Sequence, residues 1–146
     1  MRADNAAEGR VGAAAPAPAP PAMAQLRREQ RVIEVVSPDV THRWRAGAGG
    51  TVEYSTDAAA TWLPASSPAG PEISAGSSPS STVCWLVGRS GLVLVSSDGR
   101  TFTRAPFPAV TDLSSVTAVN ARTATVTSAD GLAFVTDDGG RTWRRQ

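Results

Sequence analysis

The sequence contains no lysine, one cysteine and one histidine. Its 14 cationic side chains are therefore all arginines, and with 13 acidic side chains they give a net charge of +1. This balance creates no global field that would favour nucleic acid or an acidic membrane surface. Cys84 has no second cysteine with which to form a disulfide or a zinc site, and His42 has no second metal ligand near it in the sequence. We expect no metal and no cofactor.

Long apolar segments are also missing. The chain has no run of about 18 apolar residues, which a membrane-spanning helix would need. Its N-terminus lacks the apolar core of roughly 7–15 residues that a signal peptide requires. We expect no membrane segment in this chain, and a cytoplasmic location unless an upstream membrane segment places the domain outside the cytoplasm.

The first thirty residues differ in composition from the rest. Residues 1–30 hold almost no large apolar side chains, so the predicted folded domain is 31–146. Residues 13–22 consist of alanine and proline, which favours an extended polyproline II linker. A short helix is predicted at 23–30, and the segment as a whole is expected to be a disordered linker.

Three segments share a hydroxyl residue, an aspartate two positions later, and then a threonine followed by an aromatic residue. The third fits Ser/Thr-x-Asp-x-Gly-x-Thr-Trp at every position, the second is one residue shorter, and the first has alanine in place of the glycine. An aspartate placed here can accept hydrogen bonds from the backbone N–H groups of its own turn, and the aromatic residue can anchor the next strand. The residues are Ser55, Asp57, Thr61 and Trp62; Ser96, Asp98, Thr101 and Phe102; and Thr136, Asp138, Gly140, Thr142 and Trp143.

The spacing of these segments indicates a repeat of about 40 residues. The three aspartates lie 41 and 40 positions apart, and a glycine stands seven positions before each of them. Each repeat divides into four short strands separated by turn residues, which is the pattern of a β-propeller blade. We therefore predict an all-β, β-propeller-like array of three four-stranded blades at about 31–66, 67–107 and 108–146. This is an incomplete propeller, because a closed one needs at least about four blades.

The repeats resemble the Asp-box (BNR-repeat) β-propeller family and, within it, photosystem II assembly and stability factor-like domains, over residues 31–146. The resemblance implies a non-catalytic module that binds or scaffolds another protein. A Pro-rich spacer before a short repeat array also resembles the extracytoplasmic sensory tail of a bacterial membrane-bound anti-sigma-type regulator. The membrane and zinc-binding segments of that arrangement are not in this chain.

A third alternative is a sialidase-like domain that binds or hydrolyses glycans. Sialidases need an arginine triad, a tyrosine nucleophile with a glutamate, and an aspartic acid. The one tyrosine, Tyr54, stands where the other repeats have Val95 and Val135, so we predict that it is a core residue. Because Asp57, Asp98 and Asp138 are committed to turns, no acid pair is left for glycoside hydrolysis. We expect no catalytic residues.

The repeat register predicts where a protein partner would bind. Arg100 and Arg141 each precede the threonine of their segment, and Arg104 and Arg145 each follow the aromatic residue by two positions. These four side chains are predicted to form two short rows near one rim, able to bind carboxylates or phosphates. We also expect Trp62, Phe102 and Trp143 to be buried equivalently between blades. Unclosed apolar faces on the outer blades would lead to self-association.

Overall fold

Three four-stranded antiparallel sheets make up residues 32–146, the part of the chain that this computed structural model describes. Within each sheet the strands are paired in chain order, so every connection between two strands of the same sheet is a hairpin. This confirms the predicted all-β array of three four-stranded blades. The linker and the helix expected in residues 1–30 lie outside the described residues. The strands are β1 (Ile33–Val36), β2 (Arg43–Ala46), β3 (Val52–Ser55) and β4 (Leu63–Pro64); β5 (Ile73–Ser77), β6 (Cys84–Gly88), β7 (Val93–Ser96) and β8 (Thr103–Arg104); and β9 (Leu113–Ala118), β10 (Ala124–Ser128), β11 (Ala133–Thr136) and β12 (Arg144–Arg145).

Two short 3₁₀ turns, Ala48–Gly50 and Arg89–Gly91, join the second and third strands of the first two sheets. The residues that the structure describes include no helix long and apolar enough to cross a membrane. The first strands of neighbouring sheets lie side by side, β1 against β5 and β5 against β9, while the two-residue strands β4, β8 and β12 form the outer edges. Edges this short offer little backbone to another strand.

The second sheet is buried on both faces, because it lies between the other two. Leu86 and Leu94 belong to a core cluster that includes residues of the first sheet, whereas Trp85, Val87 and Val93 belong to a cluster shared with the third. The alternation follows the two-residue period of a strand. All of these side chains are fully buried. Each interface between sheets therefore has its own apolar core.

The outward face of the first sheet is charged. Residues directly opposite each other in an antiparallel sheet project to the same face, and Glu34, Arg45 and Glu53 form such a row on the face away from the core. Arg45 Nε lies 2.6 Å from Glu53 Oε1, and Arg43 pairs with Glu34 at 3.5 Å. The repeat positions of Arg45 and Glu53 hold leucines in the second sheet. The apolar outer face that we expected here is only partly present: charged side chains replace the interface leucines, and Val36, which is 42% exposed, shares the face of Glu34.

The outward face of the third sheet carries hydroxyl groups. Its inner neighbours Ala124 and Val126 are buried against the second sheet, so the alternate residues point away. Thr125 stands at the repeat position of Trp44 and Trp85, and it is only partly buried. The outward residues are Ser115, Thr117, Thr125, Thr127, Ala133, Val135 and Arg144. This face too lacks the large apolar residues of an interface between blades.

The three aromatic anchors differ in burial, and the expectation of equivalent burial is wrong. Phe102 is 3% exposed in the core between the first two sheets. Trp143 is half-buried and packs edge-to-face on Trp85 of the second sheet and on Phe107 of the connection that follows this sheet. Trp62 lies beside the charged outward face, with the Arg45 guanidinium 4.4 Å from its ring centroid. Phe102 and Trp143 each pack against the preceding sheet, whereas no sheet within residues 32–146 precedes that of Trp62.

Candidate functional site

The three predicted turn segments form hydrogen-bonded loops, which we name the Asp turns: residues 55–62, 96–102 and 136–143. In the third, the Thr136 hydroxyl donates to Asp138 Oδ1 at 2.8 Å and accepts from the Gly140 N–H at 2.9 Å. Asp138 also accepts from the backbone N–H of Thr142 at 3.0 Å and from its hydroxyl at 2.5 Å. The aspartate thus closes the loop on itself.

The other two Asp turns have the same arrangement. Asp57 accepts from the Thr61 N–H at 2.9 Å and from the Thr61 hydroxyl at 2.5 Å. Asp98 accepts from the N–H groups of Arg100 and Thr101 at 2.9 and 2.8 Å. Hydrogen bonds to the charged form favour it, so these donors lower the pKa of Asp57 and of Asp98 to about 2. The same contacts, led by the Thr142 hydroxyl, lower the pKa of Asp138.

These shifts predict a stability that falls in acid. The unfolded carboxyl groups take up protons near their ordinary pKa of 3.8, whereas the folded ones stay charged to about pH 2. The unfolded state therefore binds more protons in this range, and stability falls as the pH drops from about 4 to 2. We expect the melting temperature to be flat above about pH 5 and to decline below about pH 4.

A double variant tests that the Asp turns cause this decline. Asp57→Asn with Asp98→Asn should lower the melting temperature at neutral pH and flatten its acid limb, as measured by circular dichroism. Asp137→Asn is the control, because the only hydrogen bond to its carboxylate among residues 32–146 comes from the Arg144 side chain. An acid limb unchanged in the double variant would contradict the role of the turns.

The Asp turns and the loops between the first and second strands lie at the same end of each sheet, as hairpin connectivity requires. Between the second and third sheets, this end opens into a groove of about 730 Å³, which we name the Arg groove. Its lining includes Arg104, Arg122 and Arg141, together with Asp98 and Asp138. Both carboxylates accept hydrogen bonds from N–H and hydroxyl donors of their own turns, and neither lies within 4 Å of the guanidinium groups of these three arginines.

The arginines divide into paired and unpaired groups. Arg43, Arg45, Arg89 and Arg144 form ion pairs with Glu34, Glu53, Glu72 and Asp137 respectively. Within residues 32–146, five others take part in no ion pair: Arg100, Arg104, Arg122, Arg141 and Arg145. Three of these five line the Arg groove. The free positive charge of the described chain is therefore concentrated near the Asp turns of the second and third sheets.

The four arginines singled out from the sequence occupy three surroundings. Arg104 and Arg141 share the Arg groove, whereas Arg100 lies in the cleft between the first two sheets with its guanidinium 5.6 Å from the Tyr54 ring centroid. Arg145 is exposed on β12 and does not line the Arg groove. Sequence reasoning missed Arg122. The signal for it was available, because the hairpin loop that carries it must lie at the same end as the Asp turn of its sheet.

The other residues considered as catalytic or metal-binding candidates are Tyr54, Cys84 and His42, and each makes contacts within the fold. Tyr54 is half-buried and packs against the core of the first two sheets. Cys84 is fully buried, and this burial raises the pKa of its thiol. His42 Nδ1 lies 3.2 Å from Asp39 Oδ2. In the part of the chain that the structure describes, no three or more His, Cys, Asp or Glu side chains are grouped closely enough to hold a metal ion.

Solved structures provide the comparison with known proteins. No protein-family model matches the sequence, and the search of curated proteins gives no match either. A structure described as "YCF48 bound to D1 peptide" is 20% identical with a TM-score of 0.67, and the match covers 77% of this chain and 38% of that one. "YCF48 from Cyanidioschyzon merolae" is 24% identical with a TM-score of 0.62, and the match covers 78% and 38%.

YCF48 is a photosystem II assembly factor with a β-propeller fold. The chain spans well under half the length of the YCF48 structures that it matches. At these identities the likeness concerns the fold, and it agrees with three antiparallel four-stranded sheets arranged around their first strands. Residues 32–146 therefore form a β-propeller-like array that is similar in fold to part of a photosystem II assembly factor.

Proposed function

We propose that this chain is a non-catalytic protein-binding module that holds an acidic segment of another polypeptide in the Arg groove. The observation that carries the proposal is the group of three arginines without ion pairs, Arg104, Arg122 and Arg141, along one groove. A guanidinium group matches the planar geometry of a carboxylate and can bind it through two hydrogen bonds. A groove of about 730 Å³ has room for several residues of an extended peptide.

The comparisons support a protein partner. One of the similar structures is described as bound to a D1 peptide, so a propeller of this kind does bind a polypeptide. The likeness supports the class of partner, and the groove chemistry supports its acidic character.

The protonation state of the aspartates supports a binding role over catalysis. A general acid must hold a proton near neutral pH, but the pKa values of Asp57 and Asp98 are lowered to about 2. Their oxygens also accept hydrogen bonds from their own turns. Arg100 approaches the Tyr54 ring, and no glutamate among residues 32–146 lines the pocket beside it. The sialidase-like arrangement therefore has no support at these residues.

A defined peptide tests the proposal. A labelled glycine/serine peptide that carries several aspartates should bind, and the same peptide with asparagines should not, in fluorescence anisotropy at low salt. Arg122→Glu with Arg141→Glu should weaken binding at least about tenfold, because each charge-assisted hydrogen bond is worth roughly 1.5–3 kcal/mol.

The matched control is Arg89→Glu with Arg144→Glu, which makes the same change in net charge at exposed arginines outside the Arg groove. This control should retain most of the affinity, and both double variants should keep the wild-type melting temperature within a few degrees. Equal loss of binding in the two variants would show that only net charge matters, and the Arg groove would then not be the site.

From the sequence we expected self-association, but the side chains on the outward faces favour a monomer. The outward faces of the first and third sheets carry charged and hydroxyl side chains, and burying them against a second copy would remove these groups from water. We therefore propose that the folded domain is monomeric. In repeat proteins, a polar outer face on a repeat likewise keeps the molecule soluble.

The charged face can be converted into an interface. Arg45→Leu with Glu53→Leu gives the first sheet the leucines that the second sheet has at these positions, and it exposes them to solvent. We expect the variant to form larger species with increasing concentration in light scattering, whereas the wild type stays monomeric. Arg89→Leu with Asp112→Leu removes another exposed pair away from the sheet face and should leave the mass unchanged. A monomeric Arg45/Glu53 variant would contradict the capping role.

A further inference from the structure

The cleft between the first and second sheets contains a pocket that the proposed function does not use. This Tyr54 pocket has a volume of about 330 Å³ and opens at the Asp-turn end, where Tyr54, Thr82, Asp98 and Arg100 line it and the buried Trp44 forms part of its wall. The positions equivalent to Tyr54 hold Val95 in the Arg groove and Val135 in the third sheet. An aromatic side chain at this position therefore occurs once in the described array.

Arg100 contacts this pocket through its backbone and through its side chain. Its backbone N–H donates to Asp98 Oδ1 at 2.9 Å, and its guanidinium lies 5.6 Å from the centre of the Tyr54 ring. A guanidinium group placed against an aromatic face keeps its N–H donors directed along its edges. Arg100 forms no ion pair within residues 32–146. Its side-chain N–H donors are therefore available to a ligand.

Other donors in the pocket are also unused. The hydroxyl groups of Tyr54 and Thr82 make no side-chain hydrogen bond to any residue that the structure describes, and the same is true of Ser81. The one carboxylate that faces them, Asp98, accepts from Ser96, Arg100 and Thr101 within its own turn. The pocket thus presents free donors beside one guanidinium group, with an apolar wall behind them.

We infer that the Tyr54 pocket binds one carboxylate group carried on a peptide, with Arg100 as the bidentate partner and the Tyr54 hydroxyl as a further donor. A singly charged ligand fits better than a phosphate dianion, because the Asp98 charge lies on the same wall as Arg100. Asp98 also lines the Arg groove, so one segment could occupy both places. The inference rests on the proposed function only for the source of the carboxylate, an acidic side chain or a chain terminus.

Small carboxylates test the pocket separately from the peptide. N-acetyl-aspartate methylamide offers a side-chain carboxylate, N-acetyl-alanine offers a chain-terminal one, and N-acetyl-alanine methylamide is the neutral control. Each would be titrated to roughly 50 mM, since fragments of this size bind only weakly. The readout is the NMR shift of the Arg100 Nε–Hε group and of the Tyr54 ring. A saturable shift is expected with at least one of the two carboxylates, and which one responds identifies the source.

Variants assign the shift to the pocket. Arg100→Gln should abolish saturation, and Tyr54→Val, which introduces the residue of the other two repeats, should weaken binding several-fold. Tyr54→Phe keeps the ring and should lose only the contribution of the hydroxyl group. Absence of a saturable shift with both carboxylates, an equal shift with the neutral control, or unchanged binding in Arg100→Gln would each overturn the inference.

The Arg122→Glu, Arg141→Glu variant separates this inference from the proposed function. Carboxylate binding at Tyr54 should persist in that variant while binding of the aspartate peptide is lost. If the small carboxylates bind but the aspartate peptide does not bind the wild type, the Arg groove proposal fails and the Tyr54 pocket stands. If the peptide binds and the small carboxylates do not, the reverse holds.

Discussion

Replacing Trp85 with alanine is expected to destabilise the domain by about 3–5 kcal/mol, which is typical for removing a buried tryptophan. Its side chain is fully buried in the core between the second and third sheets. The indole N–H donates to the Asn120 carbonyl oxygen at 3.0 Å, and the ring packs edge-to-face on Trp143 at 6.3 Å. The substitution would leave a cavity and remove a link between the two sheets. Urea unfolding at neutral pH measures the change.

Trp62→Ala is the matched control for this prediction. The Trp62 indole lies beside the outward face and is covered by Arg45 rather than by another sheet. A cation–π contact at such a site is worth about 0.5–1 kcal/mol, so we expect a loss of about 1 kcal/mol. Similar losses for Trp62→Ala and Trp85→Ala would mean that burial between sheets does not set the contribution of these residues.

The repeat in the sequence was sufficient to predict the sheets. The aspartates and glycines at constant spacing mark the hairpin turns, and short strands joined by such tight turns form antiparallel pairs with their neighbours in the chain. The same register also bears on the outward face of the first sheet. Arg45 and Glu53 stand where Leu86 and Leu94 stand one repeat later, so charged side chains occupy interface positions in the first sheet. The tryptophans do not reveal this difference, because Trp44 and Trp85 are identical at their repeat position in the first two sheets.

The candidate site was harder to predict from the sequence than the fold was. Register alone placed Arg104 and Arg141 near the Asp turns, but it could not show which arginines are neutralised by a carboxylate across a sheet. Arg43 and Arg104 are both strand arginines, yet only Arg43 lies within 4 Å of a carboxylate in the described structure. That difference depends on side-chain geometry. The Tyr54 pocket was likewise hidden, because the valines at the equivalent positions suggested a core residue.

Gly91→Ala is expected to destabilise the domain by about 2–5 kcal/mol, the sum of two separate penalties. Gly91 has φ of +75°, where an alanine costs about 1–2 kcal/mol. A Cβ atom at this position would also lie 2.3 Å from the Ala109 carbonyl oxygen, so the backbone of the following connection must move. Overpacking of this kind typically adds about 1–3 kcal/mol.

Gly131→Ala isolates the cost of placing an alanine in the left-handed backbone conformation. Gly131 occupies the same position in the third repeat and has φ of +91°, but a Cβ atom there would have no neighbour within 4 Å. We expect a loss of about 1–2 kcal/mol, which is the cost of the left-handed conformation alone. The difference between the two variants in urea unfolding then measures how tightly the connection after the second sheet packs on the turn. Equal losses would show that this connection yields freely, and the contact at Gly91 would then not restrain the path of the chain from the second sheet to the third.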